Sequence, residues 1–553
     1  MKTLLLFPPQ INPIHPHLAL PLLNSFLKEN NYEVEILDTN ILAYDYLLTK
    51  KHLKKCYDKI KLLKNKDKFQ ELALLMADYL IENVENSKEQ LRNPEIIKDF
   101  NNYSKHVRLI KFALNLISCA FPGELISLTQ YQSKYNTNTP ENILKNIDEE
   151  NIFTEFNNNI IKDILEKKPD IVGFSIVLMD QLVPALDLAK KIKENNPNIK
   201  IVLGGTTITR LIDNIKNNPL YFKYVDFYIK KEGEIAMLEL ITALKNNTSL
   251  ENVPNLVYFH NKIIENKQLS KQILIKDLPF PNFDGFDFNL YLSPNKIIPT
   301  IFSRNCYWNK CSFCDICHGY DNTYRIKGIK KLIQEIAHLK NKYHVNYFRF
   351  VDEAIHPIHL KEFSNELIKL NLNIKWETAC RVEKEFKNPD FCNLLYKSGC
   401  RSLSFGVESG SQKVIDLMNK GYDLKDVDKI LNSVNNAGIS THIYLMTDFP
   451  GESDKEFQET INLMLKNKEF IQSFQVSKFM LTKKSILSKE YSKQKSDPGS
   501  SSLNFEINNN TDRPKSLKQT LKENLPHHKV GQELISSHRM IFTDMNSNRF
   551  CEY

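Results

Sequence analysis

Four of the chain's ten cysteines lie close together in one short segment, residues 303–320 (SRNCYWNKCSFCDICHGY). Cys306, Cys311, Cys314 and Cys317 carry thiols of the kind that bind iron–sulfur clusters, and a loop lets the chain surround such a cluster. Structural zinc competes as an explanation, but zinc commonly takes four ligands as two close pairs separated by a longer spacer. No second CxxC pair follows downstream. The spacing therefore favours an iron–sulfur cluster, with structural zinc and inert buried thiols as alternatives.

The cysteine loop follows the first strand of a series in which apolar strands alternate with helical segments. The strand KIIPTIF runs into the loop, and later strands are NYFRFVD, IKWETAC, RSLSFGVES, ISTHIYLM and FQVSKFML. This alternation predicts a partial or full β/α barrel, and barrel chemistry lies at the carboxyl ends of the strands. Besides the cysteines, those ends carry Asp352, Glu353, Arg381, Glu408, Ser409 and Asp448.

A cysteine loop followed by β/α repeats resembles the radical S-adenosylmethionine (SAM) superfamily, whose usual motif is CxxxCxxC with an aromatic residue before the last cysteine. The segment CSFC at 311–314 matches the second half of the motif, whereas four residues rather than three separate Cys306 from Cys311. The resemblance implies that Cys306, Cys311 and Cys314 bind a [4Fe-4S] cluster and leave one iron open for SAM. The alternative trio is Cys311, Cys314 and Cys317, in which Cys317 replaces Cys306 as a ligand.

The resemblance also implies contacts to SAM at the later strand ends. Asp352 and Glu353 stand where the family has its contact to the SAM amino group, and Arg381 is a candidate bidentate partner for the SAM carboxylate. Glu408 and Ser409 match the segment that usually contacts SAM after the fourth strand. Each has a structural alternative: a helix cap for Asp352 or Glu353, a surface ion pair for Arg381, and turn chemistry for Glu408 and Ser409.

The N-terminal part of the chain predicts a second parallel sheet. KTLLLF, YEVEIL, IVGFSIV, IKIVLGG and VDFYI are apolar strands separated by helical segments. This order predicts a doubly wound α/β sheet, whose ligands bind at the carboxyl ends of the strands. The expected domains are residues 1–248 with a helical insertion at about 40–150, a connector over 249–295, the barrel over 296–484, and a partly flexible C-terminal extension over 485–553.

A doubly wound domain, a Pro- and aromatic-rich connector and then the cysteine loop resemble the cobalamin-binding-domain class of radical SAM proteins. The opening LLLFPPQINPIHPHLALPLLNSFLKENNYEVEILD and the later IVLGGTTIT and KKEGE carry this resemblance. It implies a cobalamin-binding-like Rossmann domain in which Gly204, Gly205 and Thr206 bring their backbone close to the cofactor, with a plain strand–helix turn as the alternative. The DxHxxG motif of other cobalamin proteins is absent, and His15 and His17 are interpreted as ordinary loop residues.

Many members of that class are methyltransferases, so the resemblance implies reductive cleavage of SAM and methyl transfer to a peptide or small natural product. An external electron donor such as flavodoxin or ferredoxin is the implied partner. Two other functions stay open. One is a radical SAM enzyme of another reaction type, such as epimerisation or cyclisation, with the N-terminal domain as scaffold only; the other is a non-enzymatic, metal-stabilised binding protein.

Composition narrows the class of partner. The chain has 553 residues, a formal net charge of +8 and a mean hydropathy of −0.39. No uncharged apolar run is long enough to span a membrane, and the short run in MKTLLLFPPQ is interpreted as a buried strand rather than a signal peptide. Many lysines stand beside glutamates, which is typical of a solvated surface, so nucleic acid is not expected as a partner. Clustered cysteines without an export signal predict a cytoplasmic protein with no membrane partner.

Overall fold

The computed structural model describes residues 1–267, 273–315, 323–491, 504–505, 512–524 and 538–545. The chain divides into two compact units, the first built mainly from residues 1–294 and the second mainly from residues 295–553. Each unit is organised around its own sheet.

The first unit contains a parallel sheet extended by a hairpin. The described strands of this unit are β1 (Lys2–Leu6), β2 (Glu33–Leu37), β3 (Leu125–Ile126), β4 (Tyr131–Gln132), β5 (Ile171–Ser175), β6 (Lys200–Gly204), β7 (Phe227–Ile229), β8 (Leu256–His260) and β9 (Lys262–Glu265). Strands β3 and β4 form a separate antiparallel pair. The sheet order is β2-β1-β5-β6-β7-β8-β9, and the neighbours from β2 to β7 are parallel. Strand order reverses between β1 and β5, and their carboxyl ends form the crevice in which doubly wound sheets bind ligands.

Helices pack around this sheet and fill the region of the predicted insertion. They are α1 (Ala19–Glu29), α2 (Thr39–Leu47), α3 (Lys50–Leu62), α4 (Lys68–Arg92), α5 (Phe100–Ala120), α6 (Pro140–Asp148), α7 (Thr154–Glu166), α8 (Leu182–Asn195), α9 (Thr206–Ile215) and α10 (Glu234–Asn246). Helix α4 begins with a capping box, in which the Asp67 side chain accepts from Gln70 N and the Gln70 side chain accepts from Asp67 N. This box satisfies two backbone donors at the start of the helix.

The second unit contains a six-stranded parallel sheet. The described strands of this unit are β10 (Ile297–Thr300), β11 (Ser303–Arg304), β12 (Arg325–Ile326), β13 (Tyr347–Phe350), β14 (Lys375–Cys380), β15 (Cys400–Glu408), β16 (Ser440–Thr447), β17 (Ser473–Lys478), β18 (Leu481–Thr482) and β19 (Asn504–Phe505). Strands β11 and β12, and strands β18 and β19, form separate antiparallel pairs. The order β10-β13-β14-β15-β16-β17 follows the chain, and each neighbouring pair is parallel. Within the described ranges β10 and β17 do not pair with each other, so the predicted partial barrel is confirmed.

Helices alternate with these strands. They are α11 (Ile329–Tyr343), α12 (Pro357–Lys369), α13 (Pro389–Lys397), α14 (Gln412–Leu417), α15 (Val427–Asn436), α16 (Asp454–Lys466), α17 (Ser488–Tyr491), α18 (Arg513–Asn524) and α19 (Arg539–Met545). Trp376 of β14 is fully buried and forms edge-to-face contacts with Phe350 of β13 and Phe363 of α12. These contacts fix α12 against the sheet, because alternate strand residues point to the helical layer.

Helix α19, from the predicted C-terminal extension, packs against the barrel strands near their amino ends. The buried Arg539 guanidinium donates hydrogen bonds to the hydroxyls of Ser402, Ser404 and Ser473 at 3.1, 3.1 and 3.2 Å. Asp544 accepts from the Tyr347 hydroxyl at 3.1 Å and pairs with Lys375 and Arg401 at 2.9 and 3.0 Å. The partners lie near the starts of β13, β14, β15 and β17, so α19 covers the end of the barrel opposite to the cysteine loop.

Candidate functional site

A buried carboxylate holds the start of the cysteine loop at the carboxyl end of β10. Asp352 accepts hydrogen bonds from Phe302 N at 2.9 Å and from Ser303 N and the Ser303 hydroxyl, both at 2.6 Å. Burial raises the pKa of Asp352 to about 6, and these hydrogen bonds oppose the shift. The N-cap of α12 is His356, so neither Asp352 nor Glu353 caps that helix. Asp352 anchors the loop, and its contact with SAM stays a prediction.

The three predicted cluster ligands are available for binding. Cys306, Cys311 and Cys314 are not joined in disulfides, and each is partly exposed. In the described part of the chain, no three His, Cys, Asp or Glu side chains are gathered tightly enough to hold a metal ion. The donor set nevertheless fits a soft-metal cluster, because three thiols share one loop and none is in a disulfide. Cys317 lies outside the described residues, so the choice between the two trios stays open.

Basic groups surround Cys311. Burial raises the pKa of its thiol, whereas the nearby charges of Lys420 and Arg381 lower it. Arg381 places Nη1 at 3.8 Å from Cys311 Sγ, donates through Nε to Glu383 at 3.1 Å, and also hydrogen-bonds to the Lys420 carbonyl. Its guanidinium lies 4.4 Å from the ring centroid of Trp308. Arg381 is therefore a buried residue of the cysteine-loop site rather than half of a surface ion pair, and its bond to the SAM carboxylate stays a prediction.

The middle of the cysteine loop is fastened to the carboxyl end of α14 and the residue that follows it. Ser312 N donates to the Met418 carbonyl at 2.9 Å, and its hydroxyl donates to the Leu417 carbonyl at 3.0 Å. Phe313, the aromatic residue before Cys314, packs edge-to-face on Phe449 at 6.4 Å. The aromatic position of the motif thus secures the loop to the hydrophobic core beneath it.

A second charged pair lies at the end of β15. Glu408 has a left-handed backbone (φ 67°) at an irregularity in the β15–β16 register, and such strained positions often occur at functional sites. Its carboxylate pairs with Lys420 at 3.0 Å, and both side chains are largely buried. A Cβ at Gly406 would lie 2.9 Å from Glu408 Oε1 and 3.0 Å from Lys420 Nζ. Glycine at 406 therefore leaves the space in which this pair forms.

Ser409 lies behind that pair and is fully buried. Its hydroxyl is 3.2 Å from the Thr460 hydroxyl and accepts from Ser411 N at 3.1 Å. Gly410 N also donates to the Thr460 hydroxyl, at 2.8 Å. These contacts match the turn chemistry that the sequence leaves as an alternative, and they join the end of β15 to α16. Contact between Ser409 and SAM stays a prediction.

Two residues at the site were not singled out from the sequence. Lys420 pairs with Glu408, and Trp308 lies over Arg381 while its indole N–H donates to the Asn419 carbonyl at 2.8 Å. Trp308 could have been noticed as an aromatic residue inside the cysteine loop. Lys420 carries no such signal, because only the fold brings residues 408 and 420 together. Glu353 is exposed beside the anchored Asp352.

In the first unit, the turn after β6 carries the predicted cofactor residues. Gly205 has φ 105°, and a Cβ there would collide with the backbone of Ile176. Thr206 begins α9 and donates its hydroxyl to the Val177 carbonyl at 2.9 Å. Gly204 lacks such crowding, since its nearest neighbour would be 3.6 Å away. The turn therefore packs against the segment after β5, and the approach of Gly204, Gly205 and Thr206 to cobalamin stays a prediction.

The segment after β1 holds the histidines near the first strand end. The His17 ring stacks on Phe7 with centroids 4.7 Å apart and accepts from Ala19 N at 3.2 Å. Burial lowers the pKa of His17 to about 4. His15 hydrogen-bonds to the Pro16 carbonyl at 2.8 Å. Both histidines therefore have local packing and bonding roles in the loop.

Each unit contains a segment that matches a known domain family. The second defines a radical SAM fold, since residues 300–464 match the Radical SAM superfamily. The first contains a match over residues 140–241 to the B12 binding domain. The resemblance drawn from the sequence motifs is therefore confirmed: the chain combines a radical SAM domain with a B12-binding domain.

Among curated proteins, the chain is similar to an uncharacterized methyltransferase of Pyrococcus horikoshii, with 24% identity over 315 residues that cover 56% of this chain and 66% of the relative. It is also similar to an anaerobic magnesium-protoporphyrin IX monomethyl ester cyclase of Rubrivivax gelatinosus, with 28% identity over 311 residues that cover 54% of each protein. The chain thus spans between half and two thirds of the length of these relatives.

Among solved structures, the chain resembles the cobalamin-dependent S-adenosylmethionine radical enzyme OxsB, which was determined with aqua-cobalamin and S-adenosylmethionine bound. The TM-score is 0.60 at 14% sequence identity, and the match covers 99% of this chain and 72% of OxsB. At this identity the likeness establishes the fold, and it confirms the predicted α/β fold class with its Rossmann-like domain and partial barrel. Among the described helices, none is both long and apolar enough to cross a membrane.

Proposed function

We propose that this chain is a radical SAM enzyme that binds a [4Fe-4S] cluster, SAM and cobalamin and transfers a methyl group to a peptide or small natural product. The observation that carries the proposal is the anchored cysteine loop, where three thiols that form no disulfide lie at the strand ends together with Arg381 and the Glu408–Lys420 pair. The methyltransferase name of the Pyrococcus relative and the cofactors bound in OxsB support it.

The residues of this chain divide into three groups by proposed role. When bound, the cluster supplies the electron for reductive cleavage of SAM, and cobalamin carries the methyl group. Cys306, Cys311 and Cys314 would hold the cluster. The residues proposed to bind SAM are Asp352, Glu353, Arg381, Glu408 and Ser409. Gly204, Gly205 and Thr206 would face cobalamin from the turn after β6.

The basic groups beside Cys311 give this assignment a physical reason. A bound cluster requires deprotonated thiols, and a guanidinium near a sulfur stabilises the thiolate. Arg381 is held by Glu383, by the Lys420 carbonyl and by the ring of Trp308. Its orientation is therefore set before any ligand arrives, which lowers the entropy lost on binding.

The proposed organisation keeps the sequence-derived boundaries. Residues 1–248 would form the cobalamin-binding-like domain with its helical insertion at about 40–150, 249–295 the connector, 296–484 the barrel and 485–553 the extension. A flavodoxin or ferredoxin would deliver the electron. A cytoplasmic location would suit these partly exposed thiols, which form no disulfide, since that compartment keeps thiols reduced.

The test is product analysis with anaerobically reconstituted full-length protein, SAM and a reductant. Formation of 5′-deoxyadenosine together with S-adenosylhomocysteine supports methyl transfer. Deoxyadenosine alone points to another radical reaction, for which the named cyclase relative is a precedent. If neither deoxyadenosine nor S-adenosylhomocysteine forms, the proposal is contradicted. A Cys311→Ala protein that still cleaves SAM would overturn the site assignment, and a corrin absorbance in the protein reports cobalamin separately.

A further inference from the structure

Helices α3 and α4 present a strip of large apolar side chains to solvent. Leu62 and Leu75 are each 84% exposed, Phe69 is 77% exposed, and Leu72 and Tyr79 are 52% and 53% exposed. Single exposed apolar residues are ordinary, but a cluster of this kind marks an interaction surface. We call these five residues the α3–α4 strip.

The strip is separate from the packing face of α4. Residues 69, 72, 75 and 79 recur at helical spacing and share one side of α4. The other side carries Ala77, Leu80, Val84 and Leu91, which are buried, and α4 packs against α5 and α3. The core of the insertion is thus complete without the strip, so folding alone does not require these exposed residues to be apolar.

Positive charge is concentrated beside the strip. The segment 50–68 contains nine lysines and two aspartates, a formal charge of +7 in a chain whose total is +8. Lys50, Lys54, Lys55 and Lys59 pair with carboxylates. At the α3–α4 turn, Lys61, Lys64 and Lys68 form no ion pair with any described residue. The expectation from the sequence that lysines stand beside glutamates does not hold at this turn.

We propose that the α3–α4 strip and its lysines dock on an anionic lipid bilayer. Leu62, Phe69 and Leu75 would enter the boundary between headgroups and acyl chains, and the lysines would lie among the anionic headgroups. This proposal departs from the sequence-based expectation of no membrane partner. It is surface binding, so it is compatible with the finding that no described helix can cross a membrane. The proposal is independent of the proposed enzymatic function.

Charge argues against a second copy of the chain as the occupant. A two-fold contact would bring the same surface of both copies together, and the lysine-rich segments would then repel each other. The phosphates of a nucleic acid would pair with the lysines, but they would make no apolar contacts with the exposed leucines. An anionic bilayer satisfies both parts of the surface at once, since it offers negative headgroups above an apolar layer.

The experiment is co-sedimentation of the full-length protein with vesicles of phosphatidylcholine alone or of equal parts phosphatidylcholine and phosphatidylglycerol. We expect binding only to the anionic vesicles and release by high salt. The Phe69→Ser/Leu75→Ser variant and the Lys61→Glu/Lys64→Glu/Lys68→Glu variant should each lose roughly tenfold or more in partitioning. The matched control, Phe259→Ser/Lys262→Glu on the exposed β8–β9 hairpin, should bind like the parent protein.

The thermal unfolding midpoint of each variant is compared with that of the parent protein. An unchanged midpoint shows that a loss of vesicle binding does not result from a loss of folding. The proposal is overturned if the parent protein does not bind anionic vesicles, or if the serine variant binds them with the same affinity as the parent protein. It is also overturned if light scattering shows a dimer that the serine variant dissociates, since a second copy would then be the occupant. Equal binding to nucleic acid by the parent and the serine variant, without vesicle binding, would assign the lysines to nucleic acid.

Discussion

Lys420 and Glu408 form a largely buried ion pair beside the cysteine loop. Replacing Lys420 with Met leaves the Glu408 carboxylate buried without its ammonium partner, and breaking a buried pair in this way costs about 3 kcal/mol. We therefore expect Lys420→Met to lower the free energy of unfolding by about that amount, measured by urea unfolding of the apo protein. The matched control is Lys413→Met, because Lys413 is mostly exposed in its pair with Glu456. Equal effects of the two substitutions would show that the Glu408–Lys420 pair has no special role.

Asp352 predicts a pH dependence of stability. Its carboxyl has a pKa of about 6 in the folded chain against an ordinary value of 3.8, so the folded state holds a proton that the unfolded state has released. The contribution of Asp352 to the free energy of unfolding is therefore full at low pH. It is lost as the pH rises between about 4 and 6, and the loss is at most about 3 kcal/mol.

The Asp352→Asn variant removes that titration. We expect the unfolding free energy of the parent protein to fall relative to that of Asp352→Asn across this pH window, measured on apo protein by urea unfolding at several pH values. The control is Asp390→Asn, at an exposed position, and its unfolding free energy should show the same pH dependence as that of the parent protein. A parent–variant difference that stays constant with pH would contradict the assigned pKa.

At the residue scale, sequence reasoning succeeds where chemistry is encoded locally. The cysteine spacing, Phe313 and Arg381 could be selected because each belongs to a short motif or a strand end. Lys420 could not be selected, since its role depends on a pair with Glu408 that only the irregular end of β15 creates. For Asp352 the sequence predicts a ligand contact, and the structure adds an anchoring role that residue spacing does not reveal.

The turn between β6 and α9 depends on one glycine. A side chain at Gly205 would be strained by φ 105° and would collide with Ile176, so we expect Gly205→Ala to destabilise the protein by about 3 kcal/mol. Gly233→Ala is the matched control, because Gly233 has an ordinary φ of −93° and open space around it. Thermal and urea unfolding measure the effect. A Gly205→Ala protein as stable as Gly233→Ala would show that the turn tolerates a side chain.

Helix α19 should contribute to the stability of the barrel through Arg539. An Arg539→Met substitution leaves the hydroxyls of Ser402, Ser404 and Ser473 without their buried donor, so we expect a loss of about 2 kcal/mol. The shift in the urea midpoint measures this loss. Lys518→Met, at an exposed position of α18, should change stability by less than about 0.5 kcal/mol. An equally small effect of Arg539→Met would contradict a stabilising role for α19.

At the element scale, the strands were predictable because parallel strands buried on both faces form continuous apolar runs such as IVGFS and KIVLG. Helix α19 was not predictable as part of the barrel. Its arginine bonds to serines about 66 to 137 positions away in the chain, and no local pattern reports such a pairing. The exposed strip on α4 was equally hidden, because its apolar residues have the spacing of an ordinary buried face.

At the scale of the whole molecule, the order of the two sheet-forming units was readable from the alternation of strands and helices. The same alternation could not indicate a ligand. The assignment of the cofactors therefore depends on the cysteine loop and on the matches to known families. The identity of the substrate is the property that the sequence indicates least, since substrate contacts require side chains from loops that carry no motif.

The most direct test of the account is iron and sulfide analysis of anaerobically reconstituted full-length protein and its single cysteine variants. We expect four irons and four sulfides per chain. Replacing Cys306, Cys311 or Cys314 with Ala should abolish stable cluster loading, whereas Cys317→Ala should load normally. Stoichiometric zinc without iron or sulfide would contradict the account, and loss of the cluster in Cys317→Ala but not in Cys306→Ala would contradict the assigned ligands.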